Sequence, residues 1–203
     1  MKSAIVTGFS PFGEYKFNPT QDLAREVDGK EISGFKIRGL VLQPLYHEAS
    51  KTLIHNIKEH IPDVIISTGL SSSIQGIRFE HYGANLMLSK YKDGKGRRPN
   101  GEPLVRDGPN TYETNVNESL LASKLESLGI DTEVSFHAGS FVCNSLIYLT
   151  MREIEDKRLP IKFVFFHAPW TDDYADLIKA EKDKITIPKS HLEKAVEIIL
   201  DNV

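Results

Sequence analysis

Short apolar runs alternate with amphipathic stretches along the whole chain, the rhythm of an α/β protein that lays helices on a sheet. Ala4-Ile5-Val6-Thr7 is a strand-like run stopped by Gly8, and Asn18-Pro19-Thr20 offers turn chemistry and a cap for a helix over 22–27. A second strand is predicted over 35–42. Residues 46–60 then place Ala49, Leu53, Ile54 and Ile57 on one helical face, and Pro62-Asp63 breaks that helix. Val64-Ile65-Ile66 reads as a buried strand ended by Thr68-Gly69. Residues 77–88 are extended and partly alternating, a hairpin arm in this reading. Residues 93–110, rich in Gly, Pro and charge, form a long loop. A helix follows over 117–128, closed by Gly129 as its C-cap, then a strand over 132–136. A helix over 144–157, a core strand over 163–166 and a last helix over 190–200 complete the pattern.

The chain has 203 residues, of which 40% are hydrophobic and 26% charged, enough to bury a sizeable core without staples. No compositional shift crosses the polar loop, so a single domain over 1–203 is expected. Lys and Arg number 25 against 28 Asp and Glu, and a net charge of −3 argues against nucleic acid or an anionic membrane as partner. No apolar run approaches the ~18 residues of a membrane span, and the first residues carry no signal-peptide pattern. Cys143 is the one cysteine, which excludes an internal disulfide and a cysteine-rich zinc site and points to the cytoplasm. The histidines show no metal-ligand spacing, so no metal is expected.

Ligands of open α/β sheets gather where loops leave the carboxyl ends of strands, and four such loops carry unusual content. Gly8-Phe9-Ser10-Pro11-Phe12-Gly13 has phosphate-loop glycine spacing, but Glu14 and Tyr15 stand where Lys and Ser/Thr belong. It reads as a rigid apolar cup or as a hydrophobic plug. Cys143 falls at or just before a helix start, where the dipole and free N–H groups favour a thiolate and hold an oxyanion; its bland alternative is a small buried hydrophobe. His167 follows an aromatic strand, as a general base or as a satisfied core histidine. Glu80 either orients that imidazole or pairs with Arg78, and His137, six residues before Cys143, is a rival base.

These segments together resemble the pyroglutamyl-peptidase I (pyrrolidone-carboxylate peptidase) family of cysteine peptidases over nearly the whole chain. The resemblance rests on the 8–13 loop with Asn18-Pro19, on Gly69 with Glu80 and Asn85 at family spacings, on Asp107-Gly108-Pro109 with Tyr112, and on Ala138-Gly139-Ser140-Phe141-Val142-Cys143-Asn144 trailed by His167. It implies a three-layer α/β/α sandwich around a twisted, mostly parallel mixed sheet, a homotetramer, no cofactor, and removal of N-terminal pyroglutamate from peptides. It also implies Cys143 as nucleophile, His167 as base and acid, Glu80 as the group fixing the imidazole, and Phe9, Phe12, Phe141 and Asn18 around the substrate ring. Lys90 stands where the family usually carries an oxyanion-side arginine. Ser72-Ser73-Ile74 replaces a glycine–glycine–arginine run, and Glu14 replaces a glycine. These departures leave two alternatives, a related small-acyl amidase or esterase and a non-catalytic pyroglutamate binder.

Overall fold

The computed structural model describes residues 1–90, 92–178 and 185–203. In chain order the elements are β1 (Lys2–Phe9), α1 (Pro19–Val27), β2 (Glu31–Ile32), β3 (Phe35–Leu42), α2 (Glu48–Glu59), β4 (Val64–Leu70) and β5 (Ile77–Glu80). Three short strands follow, β6 (Tyr82–Ala84), β7 (Met87–Leu88) and β8 (Asn100–Glu102), then β9 (Thr111–Glu113), α3 (Glu118–Glu126) and β10 (Thr132–Ser135). The chain continues through α4 (Val142–Lys157), β11 (Lys162–Ala168), β12 (Trp170–Thr171), β13 (Thr186–Ile187) and α5 (Lys189–Asp201).

Among the described residues, seven strands make one sheet in the order β10-β5-β11-β4-β1-β3-β2. The β11-β4-β1-β3 centre is parallel, β5 runs antiparallel to β11, and β10 follows β5 in parallel. The central strands are apolar on both faces, which requires a layer of helices on each side. Ala4, Val6, Val64, Ile66, Val164 and Phe166 pack with side chains of α1, α3 and α5. Their neighbours in sequence, Ile5, Ile65, Phe163 and Phe165, pack with α2 and α4. The expected α/β/α sandwich with a mostly parallel mixed sheet is therefore the fold. No helix among the described residues is long and apolar enough to cross a membrane.

The strand period assigns the chemistry to one face of the sheet. In β11 the odd positions face α2 and α4, so His167 lies on that face with Phe163 and Phe165. In β5, Ile77 and Phe79 belong to the opposite core, which puts Arg78 and Glu80 on the His167 side. Cys143 packs against the α2/α4 core as well. Three separated stretches of sequence thus meet on one side of one sheet.

Several elements depart from the sequence reading in instructive ways. Strand β11 extends two residues past Phe166, because Phe166↔Thr68, His167↔Gly69 and Ala168↔Leu70 continue its parallel ladder with β4; His167 sits within the strand instead of after it. The 77–88 stretch is no hairpin arm. Its first part joins the main sheet as β5, while β6 pairs with β9 and β7 with β8. The polar loop 93–110 therefore contains a strand. Helix α4 begins at Val142, two residues earlier than the apolar period indicates, and so takes Cys143 into its first turn.

Candidate active site

Each element delivers its group for a local reason. Helix α1 opens on Asn18, whose side chain accepts from Thr20 N at 3.0 Å and from Thr20 Oγ1 at 2.8 Å, with Pro19 in the first turn. Thr20 Oγ1 in turn accepts from Phe9 N at 3.1 Å, which fixes the end of β1 where the cup begins. Helix α4 has neither a capping side chain nor an acidic residue in its first turn. The N–H groups around Cys143 are thus left for a ligand by the geometry of any helix start. Asn144 anchors this helix end to β6 and its exit: its Oδ1 accepts from Ala84 N at 2.7 Å, and its Nδ2 donates to Ala84 O at 2.9 Å and Leu86 O at 3.0 Å.

The centre is compact. His167 Nδ1 lies 2.7 Å from Glu80 Oε1, and both residues are buried, at 8% and 1% exposure. The Cys143 side chain also acts on the imidazole, and its Sγ and the ring both border Gly69, which links sulfur, ring and carboxylate. Burial pulls the His167 pKa down, but negative charge and hydrogen bonding at Cys143, then at Glu80, outweigh it and raise the group to about 9. The imidazole therefore holds its proton at neutral pH. Glu80 Oε2 has no hydrogen-bond partner among the described residues, so this carboxylate is committed to the ring. Arg78 instead pairs with Glu133, Nε to Oε1 at 2.5 Å.

Gly69 of β4 lies beneath these groups. A β-carbon there would stand 2.9 Å from Cys143 Sγ, 3.0 Å from Phe165 Cζ and 3.1 Å from His167 Cδ2. Only a residue without a side chain leaves the sulfur and the ring where they are. His137, the rival base, is engaged elsewhere: its Nδ1 accepts from Gly139 N at 2.9 Å.

Sulfur, ring and carboxylate open into a cavity of about 1140 Å³. Of the residues singled out in the sequence, Phe9, Phe12, Phe141, Glu80, Cys143 and His167 all line it, with Glu14 and His137. Phe141 is held edge-on to Tyr46, ring centres 5.4 Å apart, and Tyr46 Oη donates to Ser140 O at 3.1 Å. Two expected substrate contacts stand outside the wall. Asn18 is fully buried behind Phe9 as a helix cap, and Lys90 is not a lining residue, whereas Lys92 is. Ile74 is buried outside the cavity as well. Sequence reasoning missed Tyr15, Phe17 and Leu70 in the wall. Tyr15 and Phe17 are braced edge-on against the fully buried Trp170 at 4.9 and 5.7 Å. The aromatic spacing after Gly13 was the available signal. Among the described residues no group of three His, Cys, Asp or Glu side chains converges as a metal site would.

A thiol at a helix start, an imidazole and a buried carboxylate beside an open cavity define the cysteine-peptidase class of hydrolase. Comparison with known proteins narrows the class. The family model described as pyroglutamyl peptidase matches residues 2–201. The pyrrolidone-carboxylate peptidase of Bacillus cereus is 30% identical over 201 residues, covering 98% of this chain and 94% of its own. That of Bacillus mycoides is 30% identical over 201 residues, 99% of this chain and 92% of its own. The crystal structure of Bacillus amyloliquefaciens pyroglutamyl peptidase I superposes with a TM-score of 0.92 at 28% identity, covering 100% of this chain and 96% of that one. Pyrrolidone carboxyl peptidase from Pyrococcus furiosus gives 0.92 at 28% identity, over 98% and 96%. The chain belongs to the pyroglutamyl peptidase family of cysteine-type peptidases.

Proposed function

We propose that this protein removes an N-terminal pyroglutamyl residue from peptides through an acyl-enzyme on Cys143. The observation that carries the reading is the half-buried Cys143 set beside the buried His167–Glu80 pair and opening into an aromatic cavity. The Cys143 thiolate attacks the pyroglutamyl carbonyl carbon, and the resulting oxyanion meets the first-turn N–H groups of α4. As the tetrahedral species collapses, the C–N bond breaks and His167 gives its ring proton to the departing amine. The product is a thioester and a peptide shortened by one residue. A water then loses a proton to His167 as it attacks the thioester, the C–S bond breaks, and pyroglutamate and the Cys143 thiolate are freed beside the re-protonated imidazole. Glu80 holds the ring in orientation throughout.

The lactam of the substrate carries no α-ammonium, so its pocket needs apolar walls instead of an acidic anchor. Phe9, Phe12 and Phe141 supply them, with Asn18 acting behind Phe9 by fixing the backbone of the cup. Lys90 adds positive charge outside the wall. By resemblance the protein is a homotetramer, which light scattering on the purified protein checks; its even composition supports a single domain and its lone cysteine a cytoplasmic setting. Turnover is tested with a pyroglutamyl-coumarin amide, which is expected to be cleaved. Since Cys143 is the sole thiol, iodoacetamide should add a single carbamidomethyl group to the folded protein below pH 8 and abolish that cleavage. His167→Ala should remove it too and His137→Ala should not. Absence of turnover at high enzyme concentration, or labelling only after unfolding, defeats the proposal.

A further inference from the structure

Arg78 is the one cation that the sheet register places directly beside the reacting imidazole. In the antiparallel β5–β11 pair, His167 stands opposite Arg78 and Phe166 opposite Phe79. Residues directly opposite in such a pair project from the same face, with β-carbons ~5 Å apart. Glu80, two residues further along β5, lies on the same face but is sealed at 1% exposure, whereas the Arg78 side chain is 30% exposed and lines the cavity. The strand thus presents its carboxylate to the ring from inside, while Arg78 lines the cavity with its guanidinium tethered to Glu133 on the far side of β5.

This placement has a chemical direction. His167 hands its proton to the leaving amine, so the residue that follows pyroglutamate must leave along the imidazole side of the cavity, which is where Arg78 sits. We infer that Arg78 is a specificity-determining residue for the leaving peptide, favouring an acidic side chain immediately after the pyroglutamyl residue. The inference rests on the activity proposed above and adds to it the preferred class of peptide.

The charges around the site support the sign. Glu133 occupies Arg78 Nε at 2.5 Å, but it is an exposed carboxylate on the outer strand β10. A guanidinium has five N–H donors, so one carboxylate leaves several for a second acceptor. The other lining cations are Lys16 and Lys92, and the other lining carboxylate besides Glu80 is Glu14. Glu14 follows β1, three strand positions from β5, or ~14 Å across the sheet. It also has Lys16 two residues away. Arg78 is therefore the lining cation nearest His167 in the sheet register, and Glu14 lies away from it.

The test uses C-terminally amidated pyroglutamyl dipeptides, so that only the second side chain carries charge. With the native protein, kcat/KM for pyroglutamyl-Glu-amide should exceed that for pyroglutamyl-Ala-amide by about tenfold at low salt, the scale of one partly exposed charge-assisted hydrogen bond. That ratio should shrink as salt is raised. Arg78→Gln should bring it to about one, and Arg78→Glu should shift preference to pyroglutamyl-Lys-amide. Glu133→Gln, which frees Arg78 without touching the cavity wall, should keep or raise the ratio; it also serves if the Arg78 variants fold poorly. Cleavage of the alanyl amide with no acidic preference, or a preference that survives Arg78→Gln, overturns this inference alone. Failure to cleave any pyroglutamyl amide overturns the underlying activity and the inference with it.

Discussion

At the scale of single residues, the site depends as much on an absent side chain as on those present. The space between β4, Cys143 and His167 is so small that a methyl group at Gly69 would meet Sγ at 2.9 Å and the ring at 3.1 Å. Both distances are below ordinary van der Waals contact, so either the sulfur or the imidazole must move. Phe165, the third neighbour at 3.0 Å, is fully buried and has nowhere to go. Displacements of this order misalign the attacking sulfur with the group that protonates the leaving amine. Gly69→Ala is therefore expected to lower kcat/KM about a hundredfold. The measurement is a coumarin-amide assay beside a far-ultraviolet spectrum that verifies the fold. Native-level turnover by a folded Gly69→Ala protein would show that the closeness seen here has no part in the chemistry.

At the scale of elements, the start of α4 is the feature on which the sulfur's position depends, and it is held from outside the helix. Asn144 makes three hydrogen bonds to the backbone of residues 84 and 86 and is 1% exposed. Gly83 of β6 lets that strand approach so closely that a β-carbon would stand 2.5 Å from Tyr148 N. Asn144→Ala strands buried backbone groups and should cost about 1–3 kcal/mol in urea unfolding. It should also reduce activity at temperatures where the variant stays folded, because the turn carrying Cys143 loses its tether. A stability loss with full activity would reduce Asn144 to a packing role.

This anchorage also marks the boundary of what the sequence discloses. Strand β3 could be read to the residue, since Phe35 to Leu42 has strong β character between turn signals. The candidate groups could be picked out too, as Glu80 ends a strand and Cys143 and His167 each lie one residue inside a helix or strand end. What periodicity could not give is pairing. The short strands β6, β7, β8 and β9 have two or three residues each and owe their existence to Asn144, to each other and to neighbours far along the chain. Asn18 likewise looked like a substrate contact and is, in space, the cap that positions Phe9. Its position in sequence gives no depth.

At the scale of the whole molecule, the proposed chemistry and the stability are coupled through one proton. His167 is raised from 6.5 to about 9 because Cys143 and Glu80 outweigh the cost of its burial. A histidine whose folded pKa exceeds its unfolded one stabilises the fold fully below the unfolded value. That contribution is lost as pH rises through the folded value, here between about 6.5 and about 9. The other displaced groups act in different windows. Burial lowers His47 from 6.5, so its effect lies on the acid side; exposed Glu102 is lowered from 4.5. Burial raises Tyr46 to about 12 and raises Tyr112, Tyr148 and Tyr174 from 10.0, while the Glu26 hydrogen bond raises Lys189 from 10.5. Of these displaced groups, His167 is the one that acts between neutrality and pH 9. The melting temperature should fall steadily across it, and the slope should flatten in Glu80→Gln, where the ring has lost one of the two groups holding its proton. Calorimetry of both proteins from pH 6 to 9.5 reads the slope directly. Equal slopes in the two would mean that the carboxylate does not hold the imidazole in its charged form, and the orienting role given to Glu80 would fall with it.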